Sequence, residues 1–246
     1  LTNVELKKNK EAIHFYETAI SLKPKHFLAY FYLGSLYHDM HEIEKALVNY
    51  KKAVSLNSDY FDAWYNLGVL LNKNHKLNEA INAYTKALKL NNKHTYTLYN
   101  LGNIFFELSQ YKKSIKFYET AIKTNPGFLL SYFNLGLAHE KNGDYKKSLK
   151  YYKLAIKKNP HDEKTYNQIG LLFKKLNNYN FAVTHFKKAL SFKPDSISIK
   201  FNLAESLKEM GEYSLATKIL NEIISEKSNY LFAYLTLGEI QCWSGN

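Results

Sequence analysis

The chain has no arginine, one cysteine, four prolines and ten glycines in 246 residues. Each scarcity excludes something. A single thiol, Cys242, cannot close an internal disulfide, so no covalent staple holds the fold. A reducing compartment, cytoplasmic or nuclear, is the expected location. Nowhere does the sequence sustain the roughly 18 apolar residues that a membrane span needs. The opening LTNVELKKNKEAIHFY lacks the apolar core of a signal peptide. It also lacks an initiating Met, and a fragment of a longer chain is expected.

The missing arginine bears on partners. All 34 basic residues are lysine, and the formal net charge is +12. Arginine supplies the planar fork that grips phosphate and guanine bidentately, so its absence argues against a nucleic-acid partner. A codon bias toward A and T would feed Lys, Asn, Tyr, Ile and Phe together. That accounts for the lysine ahead of selection for an acidic partner.

What the chain does contain is a period. Gly34, Gly68, Gly102, Gly136 and Gly170 stand 34 residues apart; Ala204 takes the next place and Gly238 resumes the series. Pro126, Pro160 and Pro194 keep the same spacing, and Pro24 lies three periods before Pro126. Ala53, Ala87, Ala121, Ala155 and Ala189 form a further series, and Ala46, Ala80, Ser114, Ser148, Ala182 and Ala216 another. With the glycines at position 8, full repeats run 27–60, 61–94, 95–128, 129–162, 163–196 and 197–230. A partial repeat (1–26) precedes them and another (231–246) follows, making one array.

Two helices fit inside each period. Positions 4, 7, 8 and 11, such as Trp64, Leu67, Gly68 and Leu71, share one face at helical spacing. A turn is expected near position 15, where Gly143, Gly211, Gly245, Asn177 or His41 suits a left-handed helix end. A second helix carries Tyr145, Ser148, Leu149, Tyr152, Ala155 and Ile156 inward, and proline or a polar residue at position 32 stops it.

The run Tyr30-x2-Leu33-Gly34-x2-Tyr37…Ala46-x3-Tyr50, repeated as Trp64-x2-Leu67-Gly68…Ala80-x3-Tyr84, resembles the tetratricopeptide repeat. The resemblance covers essentially the whole chain. It implies an all-α fold: a right-handed superhelical α-solenoid of antiparallel helix pairs. One repeat combines three mild departures, Lys200 at an aromatic position, Ala204 for Gly and Leu220 for an aromatic. That repeat is expected to pack a little differently.

Enzyme chemistry is not expected in this segment, nor any cofactor. Every glycine but Gly127 falls at position 8 or 15, which leaves none for a phosphate-cradling loop. No GxSxG elbow occurs. His38, Asp39 and His41 cluster ligand types, but no Cys or second cluster completes a metal shell. Asp59 and Asp62 read as helix-start residues rather than an acid/base pair. Lysines such as Lys146, Lys147, Lys150, Lys153, Lys157 and Lys158 crowd the second helices, which the resemblance places on the outer side, as a solvated face.

The resemblance also implies that first helices line a concave groove. The wheel then turns positions 2, 5, 9, 12 and 13 toward it, with position 6 at the edge. The candidate peptide-binding residues are Phe31, Tyr65, Tyr96, Tyr99 and Phe133 among the aromatics, and Asn66, Asn100, Asn103, Asn134, Gln168 and Asn202 among the amides. Amides can satisfy both backbone groups of an extended peptide, and rings add apolar area for its side chains. No triplet of repeats carries the Lys and Asn set of the carboxylate clamp found in chaperone adaptors, since Lys164 is the only lysine at position 2. The reading is a scaffold for peptide or helical segments of partner proteins, with association through exposed array ends as a further expectation. Two alternatives are the substrate-recruiting arm of a larger enzyme, similar to that of O-linked N-acetylglucosamine transferase, and an assembly subunit of a multiprotein complex.

Overall fold

The computed structural model describes residues 3–243, with side chains from residue 8. Among the described residues the chain is all helix. Cα packing divides it into two compact units, Leu1–Phe128 and Leu129–Asn246. The first unit holds α1 (Asn3–Leu22), α2 (Phe27–Asp39), α3 (Ile43–Leu56), α4 (Phe61–Lys73), α5 (Leu77–Leu90), α6 (Thr95–Glu107) and α7 (Tyr111–Thr124). The second holds α8 (Leu129–Lys141), α9 (Tyr145–Lys158), α10 (Glu163–Lys175), α11 (Tyr179–Phe192), α12 (Ile197–Glu209), α13 (Tyr213–Glu226) and α14 (Leu231–Trp243). Within each unit every helix packs on the helices before and after it, as in a tetratricopeptide solenoid.

The turn inside each helix pair is made at position 15. His41, His75, Ser109 and Asn177 have φ of 55–61°, and Gly143 and Gly211 have 83° and 78°. The following N–H closes back on the carbonyl five residues earlier: Glu42 to Tyr37 at 2.8 Å, Asp144 to His139 at 2.8 Å, Glu212 to Leu207 at 3.0 Å. These bonds satisfy carbonyls that a helix end leaves open. The turn is therefore fixed by geometry, and histidine and serine occupy it at some cost in strain.

The recurring glycine has a packing reason. A Cβ on Gly68, Gly102, Gly136 or Gly170 would lie 2.5–2.6 Å from the ring of Tyr84, Tyr118, Tyr152 or Phe186; on Gly34 it would lie 3.0 Å from Tyr50. These rings are fully buried. First and second helices approach so closely that the aromatic lies where a methyl would stand. Such a contact outweighs glycine's helix cost of roughly 1 kcal/mol relative to alanine. In the departing repeat both partners change together, with Ala204 buried and Leu220 buried on the second helix. Lys200 fills its aromatic position by pairing with Glu226 at 2.5 Å. In three other repeats this place carries a ring tied to the preceding turn: Tyr30 Oη donates to the Pro24 carbonyl at 3.3 Å, Trp64 Nε1 to the Ser58 carbonyl at 2.9 Å and Tyr234 Oη to the Ser228 carbonyl at 3.1 Å.

Candidate functional site

In the first unit the aromatics form a continuous row. Phe61, Tyr65, His94, Tyr96, Phe128 and Tyr99 follow one another through ring contacts of 4.7–6.0 Å. Most meet edge to face, the geometry that the ring quadrupole favours. α4 and α6 supply Phe61, Tyr65, Tyr96 and Tyr99. His94 and Phe128 come from position 34, just before a first helix, and were not among the residues singled out from sequence. Their signal was available: Tyr60, His94, Phe128 and Tyr230 recur on the same period.

Position 34 changes the meaning of position 5. Where position 34 is a ring, the position-5 ring leans edge-on against it: Phe31 on Tyr60 at 5.0 Å, Tyr65 on His94 at 4.8 Å, Tyr99 on Phe128 at 5.2 Å, Phe201 on Tyr230 at 5.5 Å; Phe133 has Asp162 at that place and no such partner ring. On the other side the position-5 ring tilts against the buried position-24 tyrosine, as Tyr65 does on Tyr84 at 6.1 Å and Phe133 on Tyr152 at 5.8 Å. Phe31 is the extreme case and a correction to the sequence reading. Only 8% exposed, it is a core residue wedged between Tyr50 and Tyr60, with no face to offer a ligand. Tyr65, Tyr99 and Phe133 are half-buried. Tyr96, at 55%, is the most exposed of the named aromatics.

The amides are half-buried too, and several already serve the fold. Asn100 Nδ2 donates to the Tyr84 hydroxyl at 3.1 Å. Asn103 Oδ1 accepts from the Tyr118 hydroxyl at 2.6 Å. Both hydroxyls cap rings that cross the position-8 glycines, so the amides hold the ends of the core aromatics. Asn66, on α4, is half-buried. Burial holds the Tyr65 hydroxyl above its ordinary value, Tyr96 adds to that, and Asn100 opposes it. Burial likewise lowers His94 from its ordinary value, with Asp62 opposing the shift. Its Nδ1 accepts from the Thr97 N–H at 3.3 Å and caps α6.

The second unit is more polar. Asn167 interrupts the aromatic row, and Asn202 Nδ2 donates to its Oδ1 at 3.3 Å. Gln168 Nε2 donates to Glu140 Oε2 at 3.1 Å, the oxygen that also accepts from the Tyr152 hydroxyl at 2.8 Å. Glu140 is buried and was not expected from sequence: His38, Asn72, Phe106, Lys174 and Lys208 hold its position elsewhere, so no periodic signal marks it. Asn134 is half-buried on α8. Successive first helices are tied by Lys174 to Glu205 at 2.5 Å and Lys208 to Glu239 at 2.6 Å.

Other candidates can be placed. His38 is half-buried, Asp39 and His41 are exposed, and His41 forms the turn itself. No group of three His, Cys, Asp or Glu side chains among the described residues is placed to hold a metal. No described helix is long and apolar enough to cross a membrane. Cys242 is exposed.

Comparison with known proteins agrees with this architecture. Models described as tetratricopeptide repeat match residues 1–26, 15–48, 61–94, 130–162 and 163–196, and a model described as TPR repeat matches 35–75 and 102–143. No curated protein matches the sequence. Among solved structures, YrrB is similar at 22% identity, covering 75% of this chain and 95% of that one, with a TM-score of 0.67. MamA is similar at 28% identity, covering 67% of this chain and 98% of that one, with a TM-score of 0.59. PilF of Pseudomonas aeruginosa is similar at 19% identity, covering 87% and 97%, with a TM-score of 0.68.

Proposed function

The chain belongs to the tetratricopeptide repeat family, and from that premise we propose that it is a scaffold binding peptide or helical segments of partner proteins along its first-helix faces. The observation that carries this is the aromatic row of the first unit, with Tyr96 its most exposed tyrosine and the half-buried amides Asn66, Asn100 and Asn103 on the same two helices, α4 and α6. Rings supply apolar area at low entropy cost, and amides supply directional bonds to a peptide backbone. YrrB is described as a TPR protein with an unusual peptide-binding site, and a comparable capacity is proposed for this chain. The role is non-catalytic, and the clamp for free C-terminal carboxylates is not part of it.

The working face is narrower than the sequence suggested. Tyr96, Tyr65, Tyr99 and Asn66 lead it in the first unit. Asn134, Gln168, Asn202 and Phe133 form a separate, more polar face in the second. The test is a displayed peptide library selected on the purified chain, followed by Tyr96→Ala and Asn66→Ala. Selected peptides should lose at least about tenfold in affinity to the double variant, while helical circular dichroism stays unchanged. Selection of peptides that bind the variant equally well would overturn the reading.

A further inference from the structure

We propose that the outer face of α9 is a docking surface for an acidic amphipathic segment of a partner protein. α9 carries six lysines in fourteen residues and no acid. Lys146, Lys150, Lys153 and Lys157 fall within a stripe about 60° wide and about 16 Å long at helical spacing. All four are exposed. Leu149 and Leu154, both half-buried, flank the stripe on opposite sides. With Lys147 and Asp144 at one end, these side chains line an open depression of about 740 Å³.

The charge here is uncompensated in a way that composition does not explain. Among the described residues no carboxylate pairs with Lys146, Lys150, Lys153 or Lys157. In the same unit Lys174, Lys200 and Lys208 each face a glutamate. α13 sits at the equivalent place of its own helix pair and carries Lys218 together with Glu222 and Glu226. A codon bias raises lysine everywhere; it does not align four lysines between two leucines along one helix face, and α11, which also lacks acids, carries only Lys187 and Lys188. Like charges four residues apart weaken a helix, and an anionic partner would relieve that repulsion.

The chemistry selects the occupant. Ammonium groups act as point charges and lack the fork that reads phosphate bidentately. No aromatic ring lines the depression to stack a base. A flat lipid surface would leave the recess between the lysine stems unfilled. A helix lying along α9, with Asp or Glu at i, i+4 and i+7 and Leu or Phe on either side, pairs the ammoniums and covers Leu149 and Leu154. This surface lies on a second helix and does not depend on the first-helix faces.

Fluorescence polarisation near physiological ionic strength tests it. The probe is a labelled helical peptide with Glu at four positions spaced as the lysines, and Leu flanking them. Saturable binding is expected. Replacing its Glu by Gln should weaken binding roughly tenfold or more, a comparison that needs no protein variant. The quadruple variant K146Q/K150Q/K153Q/K157Q should weaken it similarly with helicity unchanged. K150E/K153E should bind a lysine version of the peptide better than the parent chain does. Equal affinity for the Gln peptide, undiminished binding by the quadruple variant, or tighter binding of a labelled oligonucleotide or of phosphatidylserine vesicles at the same salt would overturn the proposal.

Discussion

Tyr118 lays its ring across Gly102 so closely that a Cβ there would stand 2.5 Å from Cε1. The ring cannot slide away, because its hydroxyl donates to Asn103 Oδ1 at 2.6 Å. Gly102→Ala gains roughly 1 kcal/mol of helix propensity and loses more to overpacking, about 1–3 kcal/mol. A net fall in stability is expected in urea melts. Tyr118→Leu in the same chain should remove the clash and make Gly102→Ala favourable. A Gly102→Ala chain as stable as the parent would contradict the packing account.

The buried tyrosines set an alkaline limit. Burial pushes the Tyr50 hydroxyl up to about 12 and raises Tyr84 and Tyr152 as well, Tyr152 with the Glu140 carboxylate as a further cause. A raised folded value favours the protonated form in the native state. The associated stability is therefore complete below the unfolded value of about 10 and is lost as pH rises above it. Thermal midpoints should be insensitive to these groups at neutral pH and drop steeply above about pH 10. Tyr84→Phe and Tyr152→Phe should make that drop shallower. Absorbance at alkaline pH should show these phenols ionising only with unfolding.

Phe31 and Tyr96 separate fold from function. Phe31→Ala empties a site between Tyr50 and Tyr60 and should cost about 3–5 kcal/mol. Tyr96→Ala removes a ring that is more than half exposed and should cost much less stability, while weakening capture of library-selected peptides. The pair is distinguished by measuring denaturant midpoints and peptide affinity on the same samples.

Four turns, at His41, His75, Ser109 and Asn177, hold side-chain-bearing residues in the left-handed region that glycine occupies freely. His75 has φ 55° and Ser109 φ 56°. Glycine fills the same place at Gly143 and Gly211. His75→Gly and Ser109→Gly should each raise stability by up to about 1 kcal/mol, offset in part by the greater entropy of unfolded glycine. Unchanged or lower midpoints in both variants would count against strain at these turns.

How much of this was legible follows from the period. Gly68 and Leu67 announced their packing because they recur, and His41 and Asn177 announced the turn for the same reason. Periodicity could place Phe31 on a face but could not weigh the neighbours that bury it, since Tyr50 and Tyr60 reach it from other elements. The amide of Asn100 was read as facing a ligand; in the structure it also holds the Tyr84 hydroxyl. Glu140 was invisible because a single acid at a variable position carries no pattern, and only the approach of Tyr152 and Gln168 gives it a role.

Ala204 and Leu220 stand where other repeats set glycine against a ring, and the order in which such a pair can change is constrained. Where an aromatic faces a glycine, a methyl on the glycine collides with the ring, whereas a smaller side chain on the second helix leaves only a gap. A lineage passing from one pairing to the other can therefore trim the ring first and add the methyl second. The opposite order runs through the clash, and the return passage follows the same steps in reverse, with the methyl removed before the ring is restored.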